Sequence, residues 1–261
     1  MTRGYAVLAV EGPSDQAVVA RALRLLGFKS FGGAINEIDR LWRRRDEIVP
    51  TYPPKSGNLY ARLPMPSILY TDTLSVAVFT GEGSRLIEQV RALLTNHDLY
   101  EVLSGFGVIA DADDQEPHAV TTKFRDAFQD IFPGFPARPG EVTKGPPALG
   151  AFVFPNNARQ GVVEHLILEC GAVAYPNLLS RAQAYVGSFS ADDRKGAKWA
   201  PYDEQKAIVA SVASLLKPGK TNTVSLADNR WISDQTRGLP MLAALLTFSS
   251  ALLLPSGRSG P

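Results

Sequence analysis

Residues 5–28 read "YAVLAVEGPSDQAVVARALRLLGF". The first six are a continuous apolar run rich in β-formers, the signature of a strand buried on both faces, as in a parallel sheet. "EGPSD" punctuates it. Apolar residues then recur at helical spacing until Gly27, a helix-stop signal. This is a strand–turn–helix unit with an acidic residue, Glu11, at its turn.

The pattern repeats outward from there. "LSVAVFT" (74–80) is a second strand, "GEGS" (81–84) its turn and "RLIEQVRALLTNH" its helix. "GFGVIA" (105–110) is a third strand, followed by "DADDQEPHA" and the amphipathic "VTTKFRDAFQDIF". "AFVFP" (151–155) is a fourth, with "NNARQ" and a helix from about Gly161 to Cys170 behind it. Four such units predict an α/β fold, Rossmann-like, with a mostly parallel central sheet flanked by helices. Residues 28–73 read as an insertion after the first unit, with an amphipathic helix in "INEIDRLWRRRDEIV" (35–49) and a proline-broken extended stretch at 59–73. After Tyr175 the reading is helical. We therefore expect an α/β core over 1–175 and a helical C-terminal extension over 176–261 packed on it.

Composition limits the function classes. The chain has 261 residues, 45% hydrophobic, with a net charge of +1. No global field pulls it onto a polyanion, so nucleic acid would need a local patch or a bound metal. The single cysteine, Cys170, excludes an internal disulfide and reads as an inert core thiol. One cysteine and three scattered histidines offer no zinc constellation. "MTRGYAVLAVEG" lacks the features of a signal peptide. The run at 241–254 lies between Pro240 and Pro255 and is too short for a bilayer span of ~20 residues. These features predict a cytoplasmic, soluble protein without a membrane partner.

The acidic residues carry the chemistry. Ligands of open parallel sheets bind outside the carboxyl ends of the strands. Glu11 ends strand one, Asp111 and Asp113 end strand three, and Glu164 opens the helix after strand four. On an extended backbone, positions i and i+2 share a face. Two carboxylates there can share a hard cation such as Mg²⁺. Without a cation they raise one another's pKa and oppose folding. Each acid also has a plainer reading: Glu11 and Asp15 as helix-entry carboxylates, the aspartates as a solvated turn. Asp114 is placed to point away from the 111/113 face.

"VLAVEGPSD" followed by "GVIADADD" resembles the Toprim domain, the metal-binding module of topoisomerases, primases and OLD-family nucleases. With "GEGS", "FPNNARQGVVEHLI" and "EQKAIVASV", the chain looks like a stand-alone Toprim-like family of unknown function related to the OLD-type branch, over roughly residues 5–250. The resemblance implies that Glu11 is a general acid/base near the metal and that Asp111 and Asp113 are Mg²⁺ or Mn²⁺ ligands. For the OLD-type branch it implies Asp15 and Glu164 as further metal ligands and Lys206 as a catalytic lysine. The glycine usual after D-x-D is absent here.

Gly81, Gly83 and Ser84 could present backbone N–H groups to a phosphate, although a tight turn needs glycines too. Arg43, Arg44 and Arg45 suit either a solvated helix face or a nucleic-acid contact. His118 and His165 lie near these residues without an assigned role. The reading that results is a Mg²⁺- or Mn²⁺-dependent nuclease cleaving DNA or RNA. Its alternative is a non-catalytic metal- and phosphate-binding module acting with a partner ATPase, since the chain has no G-x-x-x-x-G-K-[ST] loop; self-association into a homo-oligomer is a further expectation. A phosphotransfer receiver domain is disfavoured, because its acidic pair follows strand one and here the pair follows strand three.

Overall fold

A computed structural model of the chain describes residues 3–43, 49, 57, 65–81, 83–95 and 99–254. The first apolar run forms β1 (Gly4–Val10) and the helical run behind it α1 (Pro13–Leu25). Pro13 occupies the first helical turn, where its missing N–H is tolerated. Gly27, at φ +90°, ends the helix: Phe28 N–H returns to Leu23 O and Gly27 N–H to Arg24 O. That double closure satisfies the last carbonyls of the helix.

The segment expected as an insertion supplies the edge of the sheet. It contains β2 (Lys29–Ser30), a single helical turn α2 (Arg40–Arg43) and β3 (Ser67–Tyr70). The helix expected over 35–49 is shorter among the described residues. Glu37 turns back to accept the Ala34 N–H and donates its own N–H to Ala34 O, closing a turn before α2 begins. Residues 44–48, and with them two of the three consecutive arginines, lie outside the described residues. Trp42 anchors α2: it is fully buried, and its indole N–H donates to Ser75 Oγ at 2.9 Å.

Beyond it come β4 (Leu74–Thr80), α3 (Leu86–Thr95), β5 (Leu103–Asp111), α4 (Pro117–Phe128), β6 (Ala148–Phe154) and α5 (Val163–Ala174). The six strands lie in the order β2-β3-β4-β1-β5-β6. β4, β1, β5 and β6 are mutually parallel, and β3 runs antiparallel to β4 and β2 to β3. This is a mixed α/β fold with a mostly parallel sheet covered on both faces.

Successive side chains of β1 go to opposite cores. Ala6, Leu8 and Val10 join one hydrophobic cluster, and Val7 and Ala9 the other. That two-sided burial is why the strand reads as uninterrupted apolar sequence. α1 covers the first face on the way from β1 to β4, while α3 covers the second on the way from β4 to β5. The winding therefore reverses between β1 and β5, which makes the gap between their carboxyl ends a topological switch point.

The remaining helices are α6 (Pro176–Gly187), α7 (Ala191–Gly196), α8 (Asp203–Leu216), α9 (Asn222–Asp228) and α10 (Pro240–Leu253). α6, α8, α9 and α10 contribute to the same cluster as α1 and α5. α10 lies over glycines of the sheet. A Cβ on Gly107 would meet Leu252 Cδ2 at 2.6 Å, and one on Gly150 would meet Phe248 Cε2 at 2.7 Å. Among the described residues no helix is long and apolar enough to cross a membrane.

Candidate functional site

The parallel register pairs Val10 with Ile109, so Glu11 and Asp111 leave the sheet side by side at the switch point. Asp15 sits in the first turn of α1 with only 4% of its surface exposed, and its Oδ2 accepts the Gly12 N–H at 2.8 Å. Glu164, in the first turn of α5, is 9% exposed. Asp111 Oδ1 accepts the N–H of Val163, the first residue of α5, at 2.7 Å.

Asp113 reaches this edge by a different route from the one expected. The backbone is not extended through it: Asp113 is left-handed, at φ +50°. Aspartate tolerates that region better than most residues, so Asp113 itself makes the turn. It is held from outside. Asp113 and Gly161 exchange both backbone hydrogen bonds at 2.9 Å, and the Tyr202 hydroxyl donates to Asp113 O at 2.8 Å. Asp113 and Asp114 are exposed.

Glu11, Asp111 and Asp113 share a cleft of about 300 Å³ with Ser84, Gln115 and Lys123, over an apolar floor that includes Leu86 and Phe124. Electrostatics tie the acids together. Burial pushes Glu11 up to about 7, with Asp113 adding to the rise, while the Asp111 backbone N–H and Lys123 pull it down. Asp15 is raised by burial and then by Glu11, and Asp111 by burial and then by Asp15, Glu11 and Glu164. Glu164 is raised by burial, against a lowering pull from Lys206. The five carboxylates thus feel one another.

They do not yet form a coordination sphere. Among the described residues, no three His, Cys, Asp or Glu side chains converge closely enough to hold a metal ion as they stand. Asp111 and Asp15 are each turned towards a backbone N–H. The donor chemistry nevertheless fits a hard divalent cation: every candidate ligand is a carboxylate oxygen.

The other expected residues are distributed around this centre. Lys206 Nζ lies 3.4 Å from Asp203 Oδ1, close enough to Glu164 to affect its charge. The N–H groups of Gly81 and Gly83 donate to Val10 O and Glu11 O, so they tie the turn to the end of β1, and Ser84 is the member of this group that lines the cleft with a side chain. Glu82 and His97 lie outside the described residues. His165 packs edge-on against Tyr202 at 5.5 Å, and burial lowers its pKa. Sequence reasoning missed Lys123 and Tyr202. Lys123 had a signal: it falls between Val120 and Phe124, which face the core, on the helix that opens behind the D-x-D turn. Tyr202 had none, because its position depends on where α8 docks.

A family whose description reads "Protein of unknown function (DUF3226)" matches residues 5–246. The crystal structure of hypothetical protein PH0156 from Pyrococcus horikoshii OT3 is similar over 95% of each chain, with 17% identity and a TM-score of 0.51. At that identity the likeness is one of fold. No curated protein matches the chain.

Proposed function

Since the chain belongs to the DUF3226 family, whose description names no activity, we propose its function from the site: a Mg²⁺- or Mn²⁺-dependent phosphodiester hydrolase acting on DNA or RNA. The observation that supports this is the set of five carboxylates acting on one another around one switch point, with Lys123 in the cleft that Glu11, Asp111 and Asp113 line. Burying like charges together opposes folding unless a cation offsets them. A divalent cation at this edge would supply Lewis-acid stabilisation of a phosphate.

The chain's own groups then have distinct roles. Asp111 and Asp113 are the primary ligands, with Asp15 and Glu164 available from the flanking helices. Glu11, held near neutrality, is placed to exchange a proton at the pH where its two forms are equally populated. Lys123 and the Ser84 hydroxyl offer donors to a phosphate oxygen in the cleft. Lys206 acts through Glu164, whose charge it stabilises.

The test is cleavage of supercoiled plasmid and of end-labelled RNA by purified protein, with Mg²⁺ or Mn²⁺ and with EDTA. Metal-dependent cleavage that disappears in Asp111→Asn supports the reading. The alternative is a non-catalytic metal- and phosphate-binding module that meets a partner ATPase. Calorimetric Mg²⁺ or Mn²⁺ binding without cleavage of either substrate would select it.

A further inference from the structure

A second cleft, of about 480 Å³, opens between α1, α9 and the β2–β3 edge of the sheet. Arg21 and Arg24, one turn apart on α1, both line it. Arg21 is fixed by a hydrogen bond from Nη2 to Ile232 O at 2.9 Å, and its Nε is buried without a partner. Arg24 is exposed and has no carboxylate within ion-pair distance among the described residues. The acid on the cleft wall, Asp228, is paired with Lys217 at 3.0 Å. Two guanidinium groups therefore share one wall with no acid in ion-pair contact with either among the described residues, and Asp228 acts on Arg21 only from beyond that distance. Burial and then the neighbouring Arg24 lower the pKa of Arg21, against smaller raising effects from Tyr175 and Asp228.

The rest of the wall is of another kind. Phe31, Ile68 and Val224 give it an apolar side. The size falls in the range that encloses small organic molecules, ~300–1,000 Å³. Arginine is the residue best matched to the planar, bidentate recognition of phosphate and carboxylate. We infer that this cleft binds a small organic anion, a phosphate or carboxylate carried on an apolar or aromatic body, with Arg21 and Arg24 on the anion and Phe31, Ile68 and Val224 against the body. This inference is independent of the carboxylate site and of any hydrolase activity.

The test is calorimetric titration in EDTA, which keeps divalent cations out of the carboxylate site. The probes are adenosine monophosphate, inorganic phosphate and 4-phenylbutyrate. Saturable binding of the nucleotide or the carboxylate is expected, with inorganic phosphate weaker because it has no body to bury. Comparing adenosine monophosphate with 4-phenylbutyrate tells which of the two ligand classes the cleft prefers. Arg24→Glu should weaken binding at least about tenfold, the loss of one charged hydrogen bond. Arg24 is the residue to change because Arg21 also supports Ile232; Arg24→Gln, with an intermediate loss of affinity, guards against a folding artefact of charge reversal. No binding of any probe at about 10 mM, undiminished binding by Arg24→Glu, or tighter binding of a short oligonucleotide than of the mononucleotide would overturn the inference.

Discussion

Asp111 and Val163 are 52 residues apart in sequence and joined by a 2.7 Å hydrogen bond, carboxylate to backbone N–H. The last residue of β5 thus caps the start of α5. A carboxylate proposed as a metal ligand is also part of the frame that positions Glu164, the next residue along that helix.

The two roles come apart in two variants. Asparagine keeps an oxygen to accept the Val163 N–H and removes a charge that Asp15, Glu11 and Glu164 oppose. Asp111→Asn is expected to be as stable as the parent in EDTA, or more so, yet inactive. Asp111→Ala loses the hydrogen bond as well and should fall below Asp111→Asn by ~1 kcal/mol. Urea melts of both variants in EDTA measure the difference.

Stability should depend on pH in an unusual direction. The folded protein raises the carboxyl pKa values of Glu11, Asp15, Asp111 and Glu164, so it binds protons more tightly than the unfolded chain does. Their contribution is fully present below the unfolded carboxylate range and is lost as pH rises through the folded values. For Glu11 that window runs from 4.5 to about 7. At 1.36 kcal/mol per pKa unit, this one group accounts for up to ~3 kcal/mol. In EDTA the Tm should therefore fall from pH 5 to pH 8, and saturating Mg²⁺ or Mn²⁺ should flatten the upper part of the curve. A Tm in EDTA that rises over this window contradicts the clustered-carboxylate reading.

Lys123 favours the charged form of Glu11. Lys123→Met should move the Glu11 titration upward, read by carboxyl carbon NMR in the metal-free protein. If Glu11 transfers the proton, the pH–rate profile should move with it. An unchanged titration would mean that solvent screens the two groups from each other.

Gly150 admits α10 to the sheet. A Cβ there would stand 2.7 Å from the Phe248 ring and 3.0 Å from Glu141 O, one contact being backbone. Gly150→Ala is expected to destabilise by ~1–3 kcal/mol, the range for overpacking a filled core. The denaturation midpoint checks it, and Gly187→Ala, whose new Cβ meets nothing within 4 Å, is the control.

The parallel strands were legible because two-sided burial leaves no charged residue inside them and keeps them mostly apolar: "LSVAVFT" is β4 to the residue, and its seven side chains are all buried. Glu11 and Asp111 were legible for the same reason, as the first charges after apolar runs. The edge strands were not. β2 has only two residues, both exposed, so no period could announce it. The conformation of Asp113 was also hidden, because it is imposed by Gly161 and Tyr202, which lie far along the chain. The strand glycines carried an unused signal. Gly105, Gly107 and Gly150 interrupt strands that otherwise favour bulk, and such gaps mark the close approach of another element. Here that element is α10.

The glycine-lined seat of α10 sets an order of assembly. The central strand β1 and every carboxylate of the site are synthesised before residue 240, where the helix that fills the seat begins. Until then a nascent chain presents a strip of sheet over Gly107 and Gly150 with no side chains of its own to shield it. The ribosome, or a chaperone waiting beside it, would meet that bare strip in every chain it handles. A chain halted before α10 would leave that strip uncovered.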